Sequence, residues 1–324
     1  QTSSVADLSS DGRWLAVTVS ARRDAMGTDF YRDGDPTYLR APAAQLYVID
    51  TRTGTRRAVW PVRKTVRGVT WSPDGARLAM LVLESEALQV AVWERATGKF
   101  TVAKLPAGEY VAENSELRWT DDGKQLAFAA RGDPWRARAK ARFAELTKGP
   151  VVALDGKDEF LEWDAMNRMS AQRSLVSWEW SSGVVKTLLG ERPIGQWTLA
   201  KDGSAITVQE DITRKTDYDV IGGREWKLVT QGTAGGAPRT LVPSLKGVTL
   251  TWAEDGQRYA FGRDGKVWIG SIADTTRRQI LGAVGEPRAG AAAAANADTT
   301  VEAKALREKE RFTVSRWSPA GDAL

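Results

Sequence analysis

An all-β fold of repeated four-stranded sheets is the fold class that the sequence predicts, and two observations lead to it. An Asp-Gly turn followed by an alternating apolar strand recurs along the chain, in LSSDGRWLAV (8–17), VTWSPDGARLAM (69–80), LRWTDDGKQLAF (117–128), WTLAKDGSAITV (197–208) and LTWAEDGQRYAF (250–261). Each of these hairpins is followed by a second strand, turn and strand, at 45–59, 89–105, 174–189, 225–242 and 266–281. Two short hairpins per repeat, repeated along the chain, predict a β-propeller.

The repeats divide the chain into five blades and the start of a sixth. We expect one propeller domain over 1–324, truncated from a ring of seven or eight blades, with a low-complexity loop at 285–299. The blades are predicted at about 4–60, 66–105, 117–189, 196–242 and 248–281, with a partial blade at 312–324 that contains SRWSPAGDAL. A tryptophan stands just before most of the turns, where packing between blades is the expected role: Trp71, Trp119, Trp197, Trp252 and Trp317.

Two long inserts interrupt the repeat and supply the candidate contact residues. Residues 22–44 carry Phe30, Tyr31 and Tyr38 among many turn formers, and long loops of this kind often carry function.

The second insert, 131–173, interrupts the third blade. Within it the spacing of apolar residues in DPWRARAKARFAELTKGP predicts an amphipathic helix containing Trp135 and Arg136. The acid-rich stretch after that helix, with Asp158 and Glu159, is expected to be a charged connecting strand. The candidates for contact with a substrate or a neighbouring domain are Phe30, Tyr31, Tyr38, Trp135, Arg136, Asp158 and Glu159.

Composition removes several function classes. The chain has no cysteine and no histidine, so thiol chemistry, disulfides and the usual general base and zinc ligand are absent. It also lacks a nucleophile elbow, a phosphate loop and a dinucleotide fingerprint. We therefore expect this chain to have no catalytic residues of its own and no cofactor or metal, and to be inactive alone.

The net charge and the hydropathy of the chain limit the classes of partner that it is expected to bind. The net charge is only +5, from 46 basic and 41 acidic residues spread through the blades, which does not indicate nucleic-acid binding. No run of eighteen apolar residues predicts a membrane span. The chain begins at Gln1, which is compatible with a signal peptide already removed; a periplasmic or secreted protein is expected, with the cytoplasm left open.

The units WSPDGARLAM, LSSDGRWLAV and RWTDDGKQLAF resemble the repeats of TolB-like propellers. They are equally similar to those in the amino-terminal propellers of the prolyl oligopeptidase family, in its dipeptidyl-peptidase-IV-like and acylaminoacyl-peptidase-like members. The resemblance to the peptidases implies that further blades and an α/β-hydrolase domain with Ser, Asp and His follow. It also implies that the propeller gates the access of short peptides to that domain and contributes to substrate selection. Among the partners, further copies of the same chain in a homo-oligomer also stay open.

Two other functions stay open at this point. A free-standing TolB-like propeller would serve as a protein-interaction scaffold in the periplasm, with the inserts as docking loops. A sugar-active propeller enzyme is suggested only by the fourteen tryptophans, and no pair of carboxylates can be placed for it. The acidic pair with which some peptidases of this family hold a substrate's free amino end has only a weak match, Asp158 with Glu159.

Overall fold

The computed structural model describes residues 2–21, 23, 32, 34–39, 42–85, 87–149, 157, 159–217, 223–282, 312–318, 320–321 and 323–324. Its strands form antiparallel sheets, and we name them in chain order. Sheet I consists of β1 (Thr2–Leu8), β2 (Trp14–Ser20), β3 (Gln45–Asp50) and β4 (Arg56–Ala58). Sheet II consists of β5 (Val66–Trp71), β6 (Arg77–Glu84), β7 (Ala87–Glu94) and β8 (Phe100–Val102).

Sheet III carries the two helices. Its strands are β9 (Glu109–Val111), β10 (Arg118–Trp119), β11 (Gln125–Gly132), β12 (Gln172–Glu179) and β13 (Val185–Leu199). Strands β9 and β10 pair with opposite halves of β11. Together they take the place of the first strand of this sheet, which is interrupted by residues 112–117. The helices α1 (Asp133–Leu146) and α2 (Glu162–Ala171) lie in the connection from β11 to β12.

Strand β13 continues into sheet IV, with β14 (Ala205–Asp211), β15 (Trp226–Gly232) and β16 (Arg239–Val242). Sheet V consists of β17 (Thr249–Trp252), β18 (Arg258–Arg263), β19 (Lys266–Ser271) and β20 (Arg277–Leu281). The described residues group into two compact units, 1–194 with 214–223 and 195–213 with 224–324. The all-β class with four-stranded antiparallel sheets is confirmed; that the whole chain forms one domain stays a prediction.

The Asp-Gly turn is built in the same way in successive sheets. In sheet II the hydroxyl of Ser72 donates to Asp74, and Asp74 Oδ1 also accepts from the Ala76 amide at 3.0 Å. The Gly75 amide donates to the Ser72 carbonyl at 2.8 Å, which requires the left-handed φ of +64° found at Gly75. The aspartate therefore fixes the loop by local hydrogen bonds, and glycine supplies the backbone angle.

The turn between β19 and β20 of sheet V forms without glycine. Between β19 and β20, Asp274 Oδ1 accepts from the backbone amide of Thr276 at 2.7 Å and from its hydroxyl. The Asp side chain thus replaces the turn geometry that Gly54 supplies between β3 and β4 at φ +71°.

Sheet II is covered on both faces, and its second strand shows this residue by residue. Leu78 and Met80 of β6 pack in a cluster with sheet I, which includes Leu46 and Val48. The alternate residues Ala79 and Leu81 pack in a second cluster with sheet III, which includes Leu126 and Phe128. Because neighbouring residues of a strand point to opposite faces, a strand buried on both sides has to be apolar without interruption.

Two of the repeat tryptophans, Trp71 and Trp119, pack in these interfaces. Trp71 and Trp197 are buried, and Trp119 and Trp252 are half-buried against the clusters of sheets II and III and of sheet V. Trp317 follows the fifth sheet and packs against Ala260 and Val267. Beside it, Gly321 repeats the turn geometry, with its amide donating to the Ser318 carbonyl at 2.8 Å.

The helix predicted at the start of the second insert is present as α1. Pro134 stands in its first turn, where a missing amide hydrogen is no loss, and its buried side chains are Trp135, Ala139, Phe143 and Leu146. No helix in the described part of the chain is both long enough and apolar enough to cross a membrane.

The charged connecting strand predicted after α1 is wrong over 162–171, where the chain forms α2. The prediction counted the acidic residues and missed the spacing of the apolar ones. Met166 is buried against Phe143 and Leu146 of α1, and Met169 packs beside it. Arg142 of α1 also forms an ion pair with Glu162 at the start of α2. Two helices with matching apolar stripes stabilise each other where one isolated ten-residue helix would be marginal.

We predict that the repeated turn depends on one carboxylate per sheet. Asp122 Oδ1 accepts from the Thr120 hydroxyl at 2.7 Å and from the Lys124 amide at 3.0 Å, whereas Asp121, exposed like Asp122, forms neither of these turn hydrogen bonds. Asp122→Ala is expected to lower the free energy of unfolding by about 1 kcal/mol, and the control Asp121→Ala by much less. Urea denaturation measures both variants.

The same turn predicts a pH dependence. These hydrogen bonds hold the pKa of Asp122 below its ordinary value of 3.8, so the carboxylate's contribution is complete above that pH and is lost as the pH falls below it. The stability difference between wild type and Asp122→Ala should shrink in that range. An unchanged difference at pH 3 would contradict the assignment.

Candidate functional site

The two inserts and the connection between β14 and β15 of sheet IV meet in the first compact unit. In a four-stranded antiparallel meander, the connection between strands two and three lies at the end opposite to the two outer turns. The segment 34–39 comes from this connection in sheet I, and a Cβ added at Gly34 would lie 3.3 Å from the ring of Trp163 in α2. The amide of Thr216, from the corresponding connection of sheet IV, donates to the Glu159 carbonyl at 2.8 Å. The structure therefore brings the inserts together at one edge.

A buried ion pair anchors the two helices to sheet III. Arg131 is the last residue but one of β11 and only 1% exposed; its Nη1 donates to Oε2 of Glu113, which is 4% exposed, at 2.6 Å. The remaining donors of Arg131 reach the end of α2, where Nη2 donates to the Ser170 carbonyl and Nε donates to the Gln172 carbonyl at 2.9 Å. One guanidinium thus joins β11, the 112–117 loop and the C-terminal end of α2.

A second arginine and two aromatic rings complete the cluster. Arg136 in the first turn of α1 is half-buried; its Nη2 donates to Oε1 of Glu113 at 3.3 Å, and its guanidinium lies 3.8 Å from the ring centre of Tyr110. Trp135 lies under Arg131, 3.6 Å from its guanidinium, and its Nε1 donates to the Met169 carbonyl at 2.9 Å. We call Tyr110, Glu113, Arg131, Trp135 and Arg136 the Glu113 cluster.

Burial and charge shift the ionisation of these groups. Burial, with the neighbouring negative charge of Glu113, raises the pKa of Tyr110 to about 12. Burial also lowers the pKa of Arg131, opposed by Glu113. At Arg173, which donates to the Asn114 carbonyl beside the cluster, burial lowers the pKa to about 10, opposed by Glu116. At neutral pH all of these guanidinium groups stay charged and the Tyr110 hydroxyl keeps its proton.

Four of the seven predicted contact residues lie in the described ranges. Arg136 belongs to the Glu113 cluster and is partly open to solvent. Trp135 is buried below it, where it packs against Tyr110 and Ala139. Glu159 is exposed, and Tyr38 is half-buried beneath Arg32, whose guanidinium lies 4.6 Å from its ring. Phe30, Tyr31 and Asp158 lie outside the described residues, and a contact role for any of the seven stays a prediction.

The residues predicted from the sequence did not include Tyr110, Glu113 or Arg131. One signal was available for Arg131, because an arginine directly after the apolar run LAFAA and before Gly-Asp-Pro stands at the buried end of a strand. Nothing in the sequence connects it to Glu113, since that contact depends on the pairing of β9 with β11. Within the described ranges, no group of three acidic side chains is arranged to hold a metal ion.

Comparison with known proteins shows the fold. No protein-family model and no curated protein matches the chain. Among solved structures, a prolyl endopeptidase matches with a TM-score of 0.52 and 12% identity, over 89% of this chain and 37% of that chain. The Pyrococcus horikoshii acylaminoacyl peptidase matches with a TM-score of 0.50 and 14% identity, over 86% and 40%.

The structure of TolB from Acinetobacter baumannii also matches, with a TM-score of 0.43 and 16% identity, over 85% of this chain and 53% of that chain. This chain therefore spans between 37% and 53% of the length of these three proteins. The two matches with TM-scores of 0.50 and 0.52 show the β-propeller fold, and at 14% and 12% identity they show nothing finer.

We predict that Glu113 is needed because Arg131 is buried. Glu113→Gln leaves the guanidinium without its counter-charge and is expected to lower the free energy of unfolding by about 3 to 5 kcal/mol. The control is Glu145→Gln on α1, which removes an exposed pair with Arg142 at 2.8 Å and should cost less than about 1 kcal/mol. Equal losses in urea denaturation would show that the Glu113 pair has no special structural role.

Proposed function

We propose that this chain is the non-catalytic propeller part of a serine exopeptidase or oligopeptidase of the prolyl oligopeptidase family. In this proposal the propeller admits short peptides to an α/β-hydrolase domain of the same full-length protein and contributes to substrate selection. The observation that carries the proposal is the meeting of inserts from several sheets at one edge, where α1 and α2 form a helical platform. Outside the inserts, the connections between strands two and three are short: β6 and β7 are joined by two residues.

The platform offers side chains suited to contact rather than to bond cleavage. Trp163 is 39% exposed beside Phe143, with the rings edge to face at 6.3 Å, and Arg136 presents a partly exposed guanidinium. Large aromatic and arginine side chains dominate contact energies at protein interfaces. With no histidine in the chain, a Ser-His-Asp triad would have to come from another domain. Two of the matched structures are peptidases, which supports the same assignment.

The first test is the intact mass of the natural protein, with sequencing of its C-terminal peptides. The proposal expects a chain longer by roughly 250 to 300 residues, the size of a hydrolase domain, with a Gly-x-Ser-x-Gly motif and a later histidine. A natural protein that ends within a few dozen residues of Leu324 would overturn the proposal. The periplasmic TolB-like scaffold would then take its place.

The second test measures the contribution of the platform to turnover. In the natural protein, Trp163→Ala is expected to lower kcat/KM for dipeptide and tripeptide substrates about tenfold, because an interface aromatic is removed. The matched control is Phe100→Ala on the outer strand β8, where an aromatic of similar exposure, 37%, stacks on Trp60. Unchanged kcat/KM in Trp163→Ala, or an equal loss in both variants, would contradict a role for this face.

A further inference from the structure

The Glu113 cluster holds more positive than negative charge. Both oxygens of Glu113 are engaged, one by Arg131 and the other by Arg136. One carboxylate therefore pairs with two guanidinium groups. A surplus positive charge in a largely buried cluster is costly unless a counter-ion approaches.

One buried donor in the cluster also lacks an acceptor among the described residues: the hydroxyl of Tyr110, whose residue is 9% exposed. Arg136 covers the Tyr110 ring but carries only donors, so it cannot accept the hydroxyl proton. Buried polar atoms are nearly always hydrogen-bonded, and those that are not require an explanation.

A negatively charged hydrogen-bond acceptor would balance the charge and the donors of the Glu113 cluster. An ammonium group would need acceptors, and the cluster's single carboxylate already accepts from two arginines. A carboxylate fits better, because its two oxygens match the planar fork of a guanidinium and accept a hydroxyl proton as well. Of the two guanidinium groups that pair with Glu113 in the described part of the chain, that of Arg136 is partly exposed and that of Arg131 is buried. A ligand would therefore reach the cluster from the side on which α1 lies.

We propose that the Glu113 cluster binds the carboxylate of a short peptide, with Arg136 as its guanidinium partner and the Tyr110 hydroxyl donating to it. That the ligand is a peptide rests on the proposed function; that it is a carboxylate rests on the cluster. The site therefore selects for an acidic group on the ligand, either the C-terminal carboxylate or an acidic side chain.

Calorimetric titration of the natural protein, with the serine of any Gly-x-Ser-x-Gly motif changed to alanine, measures binding without turnover, so its failure is distinguishable from failure of the peptidase proposal. The probes are N-acetyl-Ala-Ala as free acid and as amide, N-acetyl-Asp-Ala amide, and inorganic phosphate. The free acid or the Asp peptide is expected to bind at least about tenfold more tightly than the Ala-Ala amide. Which of the two binds identifies the source of the carboxylate.

Variants locate the binding on the cluster. Arg136→Gln should weaken binding about tenfold, and Tyr110→Phe, which removes only the hydroxyl, by severalfold without loss of thermal stability. The matched control is Arg138→Gln, an exposed arginine on the same helix, which should bind as the wild type does. The proposal would be overturned if neither the free acid nor the Asp peptide bound more tightly than the Ala-Ala amide, if phosphate bound more tightly than both, or if Arg138→Gln caused an equal loss. Should Arg136→Gln fail to fold, Tyr110→Phe and the ligand series decide.

Discussion

The rest of the structure depends on one constraint: a four-stranded sheet with two apolar faces has to be covered on both. In β6 the side chains of Leu78 and Met80 face sheet I, and those of Ala79 and Leu81 face sheet III. Such a strand is stable only between neighbours, because each face exposes apolar surface until another sheet covers it. Long insertions are therefore excluded from the faces and have to leave at the edges.

The two inserted helices are held at the edge of sheet III by charged as well as apolar contacts. Their apolar stripes pack on each other through Phe143, Leu146 and Met166. Their attachment to sheet III is largely polar and runs through Arg131, which reaches Glu113 and the C-terminal end of α2. A buried guanidinium with several fixed acceptors orients the helices more specifically than apolar packing can, although its net contribution to stability is small.

The polar attachment has a consequence for function. Because one carboxylate serves two arginines, the cluster that positions the helices also carries surplus positive charge, and its Tyr110 hydroxyl has no acceptor among the described residues. In the proposed function, this platform holds and orients a ligand while the bond-breaking groups belong to another domain.

What the sequence by itself determined is the local part of the fold. Hydrogen bonds and residue spacings within about fifteen residues produce the Asp-Gly turns, the apolar strands and α1. These elements can therefore be predicted from the sequence alone. The tertiary structure alone decided α2, whose Met166 and Met169 have meaning only against α1, and the meeting of Tyr110, Glu113 and Arg131. Those contacts depend on which strands pair and which sheets pack, and long-range pairing leaves no periodic trace in a single sequence.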